Sequence, residues 1–241
     1  MKYKRVLIKL SGESLAGDKK FGICYDTVLD ICKKIKSIYD LGCEIGIVVG
    51  GGNFWRGRQN EEFDRATADY IGMLGTTMNA LVVNDTFRQL KVDSRVQTTI
   101  EMRQIAEFYI KGRSHKHLSK NRIIIFGCGT GSPFFSTDTA AALKAAEIGA
   151  DALIKATNVD GVYDKDPNKY KNSKKYDEIS YLEVLNKKLK VMDSTSTTMC
   201  MDNNIPILVV NIKNDNDLKK VIEGKKVGTI VKWNLRKYMW K

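Results

Sequence analysis

Five short apolar runs recur along the chain, separated by longer segments with helical periodicity. The runs are VLIKL (6–10), IGIVVG (45–50), IIIFG (123–127), ALIKA (152–156) and ILVV (207–210). Only isolated polar residues interrupt them, whereas a strand with one face in water alternates apolar and polar residues. Strands covered on both faces are typical of parallel sheets between layers of helices. The pattern therefore predicts an α/β fold, a three-layer α/β/α sandwich around a central, mostly parallel sheet.

Helices are predicted between these strands from three- and four-residue apolar spacing and from end signals. The predicted helices cover 25–41, 61–90, 137–148, a segment after the capping box of Ser180 and Glu183, and 215–223. Gly42 ends the first of them, and Gly72 and Gly75 mark close packing within the second.

Capping residues and turn residues predict how three further segments are arranged. Thr137 or Asp138 is expected to cap the alanine-rich helix, and Asn214 or Asp215 the last helix. The segment 157–179 is polar and rich in turn residues, which predicts a hairpin that leaves the main sheet.

The chain of 241 residues is long enough for one large domain, and no repeat or low-complexity linker divides it. We predict a single domain over 1–241, with an N-terminal lobe 1–150 and a C-terminal lobe 151–241. No apolar stretch approaches the ~18 residues that span a bilayer, and the start MKYKRVLIKL lacks the apolar core of a signal peptide. We therefore expect a cytoplasmic protein with no membrane partner.

The net charge of +12, from 40 basic and 28 acidic residues, suits either nucleic acid or a phosphorylated ligand. Much of this charge lies in lysine clusters that lack the interleaved aromatic residues of a strand-binding platform. A solvated basic face explains most of it, and we expect no nucleic-acid partner.

The cysteine and histidine content excludes several kinds of site. Five cysteines include no C-x-x-C pair, which argues against a disulfide framework and against a zinc cluster, and Cys128 and Cys200 are expected to be buried. The two histidines, His115 and His117, lie in KGRSHKHLSKNR, which we interpret as a solvated loop. Imidazole metal ligation and Ser-His-Asp hydrolysis are therefore poorly supplied.

Four of the predicted strands end in small, polar turns: KLSG (9–12), GGGN (50–53), GCGTG (127–131) and ATN (156–158). The carboxyl ends of parallel strands share one edge of a sheet, so these turns are expected to converge. Glycine lets backbone N–H groups approach an anion, and the N-termini of the following helices attract negative charge. The sequence thus predicts a nucleotide site at this edge.

Familiar nucleotide-binding motifs do not fit these turns. The spacing from Gly12 resembles a Walker A loop, but Asp18 stands where its lysine belongs. The turn after Gly127 has Ser132 in place of the third glycine of a dinucleotide fingerprint. The H-R-D and D-F-G motifs of protein kinases are also absent from the sequence.

A family resemblance accounts for these turns together. The blocks KLSGESL (9–15), VVGGGNFWRG (48–57), DYIGMLGTTMNAL (69–81), GTGSPFFSTDTAAAL (129–143), KATNVDGVYDKDP (155–167) and KVMD (190–193) carry it. In this order they resemble the bacterial uridylate (UMP) kinases of the amino acid kinase family. The resemblance implies phosphoryl transfer from ATP to UMP, giving UDP and ADP, in pyrimidine nucleotide biosynthesis.

The resemblance also implies cofactors and partners. ATP is the phosphoryl donor, and Mg²⁺ is carried mainly by the nucleotide phosphates, with no metal site of the protein itself. The N-terminal lobe would bind the acceptor and the C-terminal lobe ATP. Relatives form homohexamers that aromatic and methionine residues of 61–90 could support, although the same residues could be core. GTP or UTP are possible effectors, with 17–22 matching a region where some relatives bind GTP.

Four residues have catalytic roles by this resemblance: Lys9, Arg56, Asp138 and Asp193. Lys9 would neutralise charge on the transferring group, and a lysine that interrupts an apolar strand before Ser-Gly favours that function over a solvated position. Arg56 would bind phosphates with its planar fork, or be a surface charge. Asp138 would hold Lys9 in place. Asp138 and Asp193 could equally be helix caps.

Binding residues follow from the same blocks. Those implied for ATP are Lys9, Leu10, Ser11, Gly12, Gly52, Arg56, Thr157, Tyr163 and Asp166. Those implied for UMP are Gly51, Asp69, Thr130, Gly131, Ser132, Pro133, Phe134, Phe135, Ser136 and Thr137. Asp69 would accept hydrogen bonds from the ribose hydroxyls. Ser132 departs from relatives that have asparagine there, which affects one contact to the base. Tight turns and surface charge explain many of these residues equally well without the resemblance.

Three alternatives stay open. An acetylglutamate, aspartate or carbamate kinase would share the fold and change the acceptor. A non-catalytic nucleotide sensor or metal-storage relative should have lost Lys9 or the acids, which are all present. A nucleic-acid-binding module fits the charge but leaves the glycine turns without a role.

Overall fold

All five apolar runs form strands in the computed structural model, which describes residues 1–56, 62–167, 169–170 and 172–233. The strands are β1 (Arg5–Leu10), β2 (Glu44–Val49), β3 (Ser94–Thr98), β4 (Glu107–Phe108), β5 (Ile123–Gly127), β6 (Ala152–Thr157), β7 (Val162–Tyr163), β8 (Lys175–Tyr176), β9 (Glu178–Ser180), β10 (Ile207–Asn211) and β11 (Thr229–Lys232). The α-helices are α1 (Gly12–Ala16), α2 (Tyr25–Tyr39), α3 (Arg65–Gln89), α4 (Lys111–Leu118), α5 (Thr137–Ile148), α6 (Tyr181–Asn186), α7 (Ser194–Asp202) and α8 (Asp217–Ile222).

The central sheet has nine strands among the described residues, in the order β4-β3-β5-β2-β1-β6-β10-β11-β9. Every neighbouring pair is parallel except β10 and β11. The five apolar runs lie in the adjacent strands β5, β2, β1, β6 and β10, so the sequence predicts the middle of the sheet. The predicted mostly parallel α/β/α sandwich is confirmed.

Two apolar cores cover the two faces of the sheet. Val6, Ile8 and Leu10 of β1 pack with α1, α2, α3 and α8, whereas Leu7 packs on the opposite face with α4, α5, α6 and α7. Side chains alternate between faces along a strand, so Lys9 follows Leu7 onto the α5 face. Each fully buried Leu or Ile contributes roughly 2 kcal/mol, which fixes this alternation firmly.

The strand register brings the glycine turns together. Lys9 is opposite Val48 of β2 on one side and Lys155 of β6 on the other. Val48 is in turn opposite Phe126 of β5. The Gly50 N–H donates to the carbonyl of Leu10 at 2.9 Å, joining the turn after β2 to the turn after β1. The predicted convergence at one sheet edge is confirmed.

Helix ends differ from prediction by a few residues because side chains and turns decide them locally. Helix α2 ends at Tyr39, and Gly42 has a φ of 83° in the turn that follows. Helix α3 begins at Arg65 because the Asp64 carboxylate caps the Thr67 N–H; residue 61, the predicted start, lies outside the described residues. Helix α8 is preceded by Asn216 in a left-handed conformation, so neither Asn214 nor Asp215 is its N-cap.

The other end signals behave as predicted. The segment 157–179 contains the antiparallel hairpin of β7 and β8 outside the main sheet. Ser180 and Glu183 form a reciprocal capping box at the start of α6. Gly51 packs against α3 between Gly72 and Gly75, as close helix packing requires.

The interpretation of KGRSHKHLSKNR as a solvated loop is wrong. Most of it forms α4, and only 8% of His117 is exposed. Its Nε2 lies 2.8 Å from a Glu107 carboxylate oxygen, and His115 Nε2 lies 3.1 Å from the carbonyl of Glu147. Because both histidines have hydrogen-bond partners inside the protein, these polar side chains can pack over apolar residues. Composition alone does not reveal such partners.

All five cysteines are free thiols, and Cys128 and Cys200 are buried as predicted. Across the part of the chain that the structure describes, every helix is too short or too polar to cross a bilayer.

Candidate active site

Two lysines and one carboxylate form the centre of the site. Lys9 and Lys155 are opposite each other on the neighbouring strands β1 and β6. Lys9 Nζ lies 3.0 Å from Asp138 Oδ1, and Lys155 Nζ lies 3.9 Å from Asp138 Oδ2. Asp138 belongs to the first turn of α5, whose N-terminus adds a positive field. The arrangement presents two cations to an anion, and the Asp138 carboxylate holds both ammonium groups in position.

The sequence interpretation missed Lys155, which lies beside Asp138 together with Lys9. It interrupts ALIKA as Lys9 interrupts VLIKL, and that shared pattern was the available signal. Its ammonium also donates to the carbonyl of Val191. Burial lowers the pKa of Lys155, Asp138 opposes this effect, and the nearby charge of Lys9 adds to it. A bound phosphate would therefore gain a partly desolvated cation.

Asp138 is not the N-cap of α5, and neither is Thr137. Ser136 caps the helix by accepting a hydrogen bond from the Thr139 N–H at 3.1 Å. The serine has the extended backbone that an N-cap needs, with φ −84° and ψ 169°. The carboxylate of Asp138 is consequently available to the lysines.

Asp193 joins two helices beside this centre. It caps α7 by accepting from the Ser196 N–H at 2.7 Å, and it also accepts hydrogen bonds from Ser136 and Thr139 of the α5 start. Burial alone would raise the pKa of Asp193, but these hydrogen bonds lower it. The cap predicted from its Ser-Thr neighbours is confirmed, and the carboxylate holds α5 and α7 in a fixed relation.

The turn after β1 fits closely against the turn after β2. Ser11 caps α1, accepting from the Ser14 N–H at 3.2 Å. A Cβ on Gly12 would lie 2.7 Å from the Gly50 carbonyl oxygen and 2.7 Å from the Gly52 nitrogen. Only glycine lets the two backbones meet here. Leu10, the last residue of β1, is fully buried and positions this turn.

Buried asparagines support the second turn. Asn79 Nδ2 donates to the Gly50 carbonyl and to Asn53 Oδ1, both at 2.7 Å, and Asn53 donates to the Gly22 carbonyl at 2.7 Å. The last contact attaches the region 17–22 to the glycine turn. Sequence reasoning missed Asn79 because nothing local distinguishes it from other polar residues of a helix.

Arg56 follows this turn and pairs with Glu13 of α1. A Cβ on Gly52 would lie 2.9 Å from the same Glu13 carboxylate, so Glu13 is enclosed between the turn and the guanidinium. Both side chains are half exposed, so the pair adds little stability but keeps the guanidinium over the turn.

Asp69 ties α3 to the loop after β5. Its Oδ2 accepts from Arg65 Nε at 2.9 Å and from the Phe134 N–H at 2.8 Å. The loop carries the predicted acceptor residues: Thr130, Gly131, Ser132, Pro133, Phe134, Phe135, Ser136 and Thr137. Phe134 and Phe135 are exposed, and Thr130 Oγ1 bridges to the backbone of Ser132. The loop thus presents two exposed aromatic side chains beside a fixed carboxylate.

Lys155 also lines a cavity of about 540 Å³. Thr157, Tyr163 and Asp166, predicted separately from the sequence, all line it. Lys190 and Val191 also line this cavity. The Tyr163 hydroxyl donates to Asp160 at 2.5 Å, and this hydrogen bond raises the pKa of Tyr163. The cavity size suits a small organic ligand.

The sequence and the fold of this chain resemble those of known proteins. The sequence model of the amino acid kinase family matches residues 4–211. The chain belongs to the amino acid kinase family. The chain is similar to the UMP kinase from Bacillus anthracis, with 38% identity, a TM-score of 0.93 and coverage of 96% of this chain and 97% of that one.

Two further solved structures resemble this chain. The UMP kinase from Ureaplasma parvum shares 36% identity with a TM-score of 0.90, over 97% of this chain and 100% of that chain. The uridylate kinase from Archaeoglobus fulgidus shares 26% identity with a TM-score of 0.71, over 96% of this chain and 100% of that chain.

Proposed function

We propose that this chain transfers the γ-phosphoryl group of ATP to UMP, giving ADP and UDP, as a step of pyrimidine nucleotide biosynthesis. The observation that carries the proposal is the position of the Lys9–Asp138–Lys155 group. Lys155 lines the cavity together with Thr157, and Asp138 lies at the start of α5, directly after the loop that Asp69 holds. Two nucleotides placed on these two sides would meet at the lysines.

ATP occupies the cavity beside Lys155 in this proposal. Thr157, Tyr163 and Asp166 contact its adenosine, and Tyr163 is suited to pack on adenine or ribose because Asp160 fixes its hydroxyl. Its phosphates extend along the sheet edge to the turn of Lys9, Leu10, Ser11, Gly12 and Gly52. Arg56 binds the same phosphates with its fork, exchanging its contact with Glu13 for them.

UMP occupies the loop side. Asp69 accepts hydrogen bonds from its ribose hydroxyls, and Gly51 lies against its phosphate. The segment from Thr130 to Thr137 surrounds the uracil, with uncharged groups that suit a planar base. Ser132 supplies a hydroxyl to that base where relatives have asparagine.

The chemistry needs charge neutralisation more than proton transfer. UMP attacks through a phosphate oxygen whose second pKa is about 6, so the nucleophile is already ionised near neutral pH. Lys9 and Lys155 neutralise the charge that moves onto the bridging and equatorial oxygens, and Asp138 holds both ammonium groups in position. Asp193 fixes the start of α5 that bears Asp138. Mg²⁺ enters on the ATP phosphates and supplies further charge neutralisation when bound.

We also propose an assembly and a setting for the enzyme. A homohexamer fits an exposed stripe on α3 formed by Tyr70, Leu74 and Met78 at four-residue spacing. GTP and UTP are its proposed effectors. A cytoplasmic location fits five free thiols. Residues 1–241 act as one domain, with acceptor lobe 1–150 and ATP lobe 151–241. Its partners are small nucleotides rather than nucleic acid or a membrane.

A coupled ADP-release assay with UMP, CMP, aspartate and acetylglutamate side by side tests the proposal. We expect turnover with UMP well above the other three acceptors. Turnover that is highest with aspartate or acetylglutamate would assign the amino-acid kinase alternative instead. No ADP release with any acceptor, from folded protein that binds ATP, would favour the non-catalytic alternative.

A further inference from the structure

Arg65 lies where a helix does not favour a cation. It is the first residue of α3, and the N-terminal turn of a helix repels positive charge. Its partner Asp69 is four residues later, which is the less favourable order for an ion pair on a helix. Helix stability therefore does not explain an arginine here, and its contacts outside the helix become informative.

Those contacts reach the acceptor loop. The guanidinium carbon of Arg65 lies 5.7 Å from the centre of the Phe134 ring, within range of a cation–π contact. The Phe134 N–H donates to Asp69 Oδ2, the same oxygen that accepts from Arg65 Nε. One arginine thus contacts both the carboxylate and the aromatic side chain that the loop presents to it.

The loop needs such support because its backbone is strained. Phe134 has a φ of 72°, which non-glycine residues rarely adopt, and 67% of the residue is exposed. Strain of this kind persists where surrounding contacts impose it, and it is concentrated at ligand-binding segments. Asp69 holds the backbone of Phe134, and Arg65 holds both Asp69 and the ring.

We propose that Arg65 determines sugar specificity in the acceptor site, an inference that rests on the proposed function. Both hydrogen bonds from the protein end on Asp69 Oδ2, so among the described residues Oδ1 is the oxygen left for the sugar hydroxyls. Arg65 fixes the rotation of the carboxylate and therefore the direction of Oδ1. A nucleotide with both ribose hydroxyls gains from this fixed oxygen, and a deoxyribose nucleotide gains less.

Steady-state kinetics of Arg65→Met and Arg65→Lys with UMP and dUMP test the proposal. For Arg65→Met we expect the KM for UMP to rise ~10-fold, with kcat and the KM for ATP within about twofold of wild type. The kcat/KM preference for UMP over dUMP should fall at least ~3-fold. Arg65→Lys keeps the charge without the planar fork, so it should give an intermediate preference. Lys36→Met, which removes an exposed pair with Asp40 on α2, is the matched control and should leave the preference unchanged.

The outcomes separate this inference from the proposed function. A wild-type enzyme that does not phosphorylate UMP would overturn the proposed function and the inference with it. Wild-type activity on UMP with an unchanged UMP-to-dUMP preference in both Arg65 variants would overturn the inference alone. If Arg65→Met does not fold, Arg65→Lys decides, because an unchanged preference in that variant contradicts a role for the fork.

Discussion

Lys9 and Lys155 occupy paired positions on neighbouring parallel strands, and their ammonium groups approach opposite oxygens of the same carboxylate, that of Asp138. Because the two lysines interrupt their apolar runs at paired positions, the strand register fixes the separation of their backbones. Asp138 lies over them at the start of α5. A transferring phosphoryl group on this edge would meet two positive charges that need no rearrangement during the reaction.

Replacing Lys9 should damage the chemical step far more than binding. Charge is redistributed on the transferring group as the bond breaks, and Lys9 is suited to stabilise that change. We expect Lys9→Met to lower kcat ~100-fold or more, equivalent to about 3 kcal/mol, with a much smaller effect on nucleotide affinity. Turnover and ATP binding are measured on the same folded preparation. Near-normal turnover would remove Lys9 from the mechanism.

Lys155 should produce an alkaline limit to activity. Since its folded-state pKa is lowered, its ammonium loses its proton at a lower pH than the ordinary lysine value of about 10.4. Activity that needs the charged form is complete below this pKa and falls as the pH rises through it. In Lys155→Arg, which stays charged, the decline in kcat should move to higher pH or disappear. An identical decline in that variant would assign it to another group.

Asp69 should act on binding of the acceptor. A contact with ribose is present in the ground state and in the transition state alike, so its loss weakens both equally. We expect Asp69→Asn to raise the KM for UMP while kcat stays close to wild type. Initial rates over a range of UMP concentrations at saturating ATP measure this. A reduction of kcat without a change in KM would contradict the ribose assignment.

Replacing Asp138 should lower the rate, although Asp138 does not serve as a base. The kcat/KM for UMP is expected to rise through an apparent pKa of about 6, the second ionisation of the UMP phosphate, and to level off above pH ~7. Asp138→Asn should be slower throughout and keep this rise. An acceptor carboxylate, with a pKa near ~4, would show no such rise. Loss of the rise in Asp138→Asn would make Asp138 the base.

The middle of the sheet and its functional edge could be predicted because their signals are local. Continuous apolar runs identify covered strands, and strand ends rich in glycine identify the edge at which we propose that the nucleotides bind. Lys9 was found by its interruption of VLIKL, and Lys155 could have been found by the same argument in ALIKA.

The missed elements depend on tertiary contacts. Strand β3 is rich in polar residues, and β4, β9 and β11 are only two to four residues long, so their sequences carry little periodicity. The sequence predicts a loop where helix α4 lies, because composition does not show that His117 pairs with Glu107. The N-cap of α5 is Ser136 rather than the expected Thr137 or Asp138, and the Asp138 carboxylate contacts the lysines instead.

Transfer of label from [γ-³²P]ATP tests the central claim most directly, because it follows the phosphoryl group itself. With UMP, aspartate and acetylglutamate offered separately, the account predicts label in UDP from wild-type enzyme and ~100-fold slower labelling by Lys9→Met. Label in an acyl phosphate, or release of labelled inorganic phosphate without any labelled UDP, would contradict it.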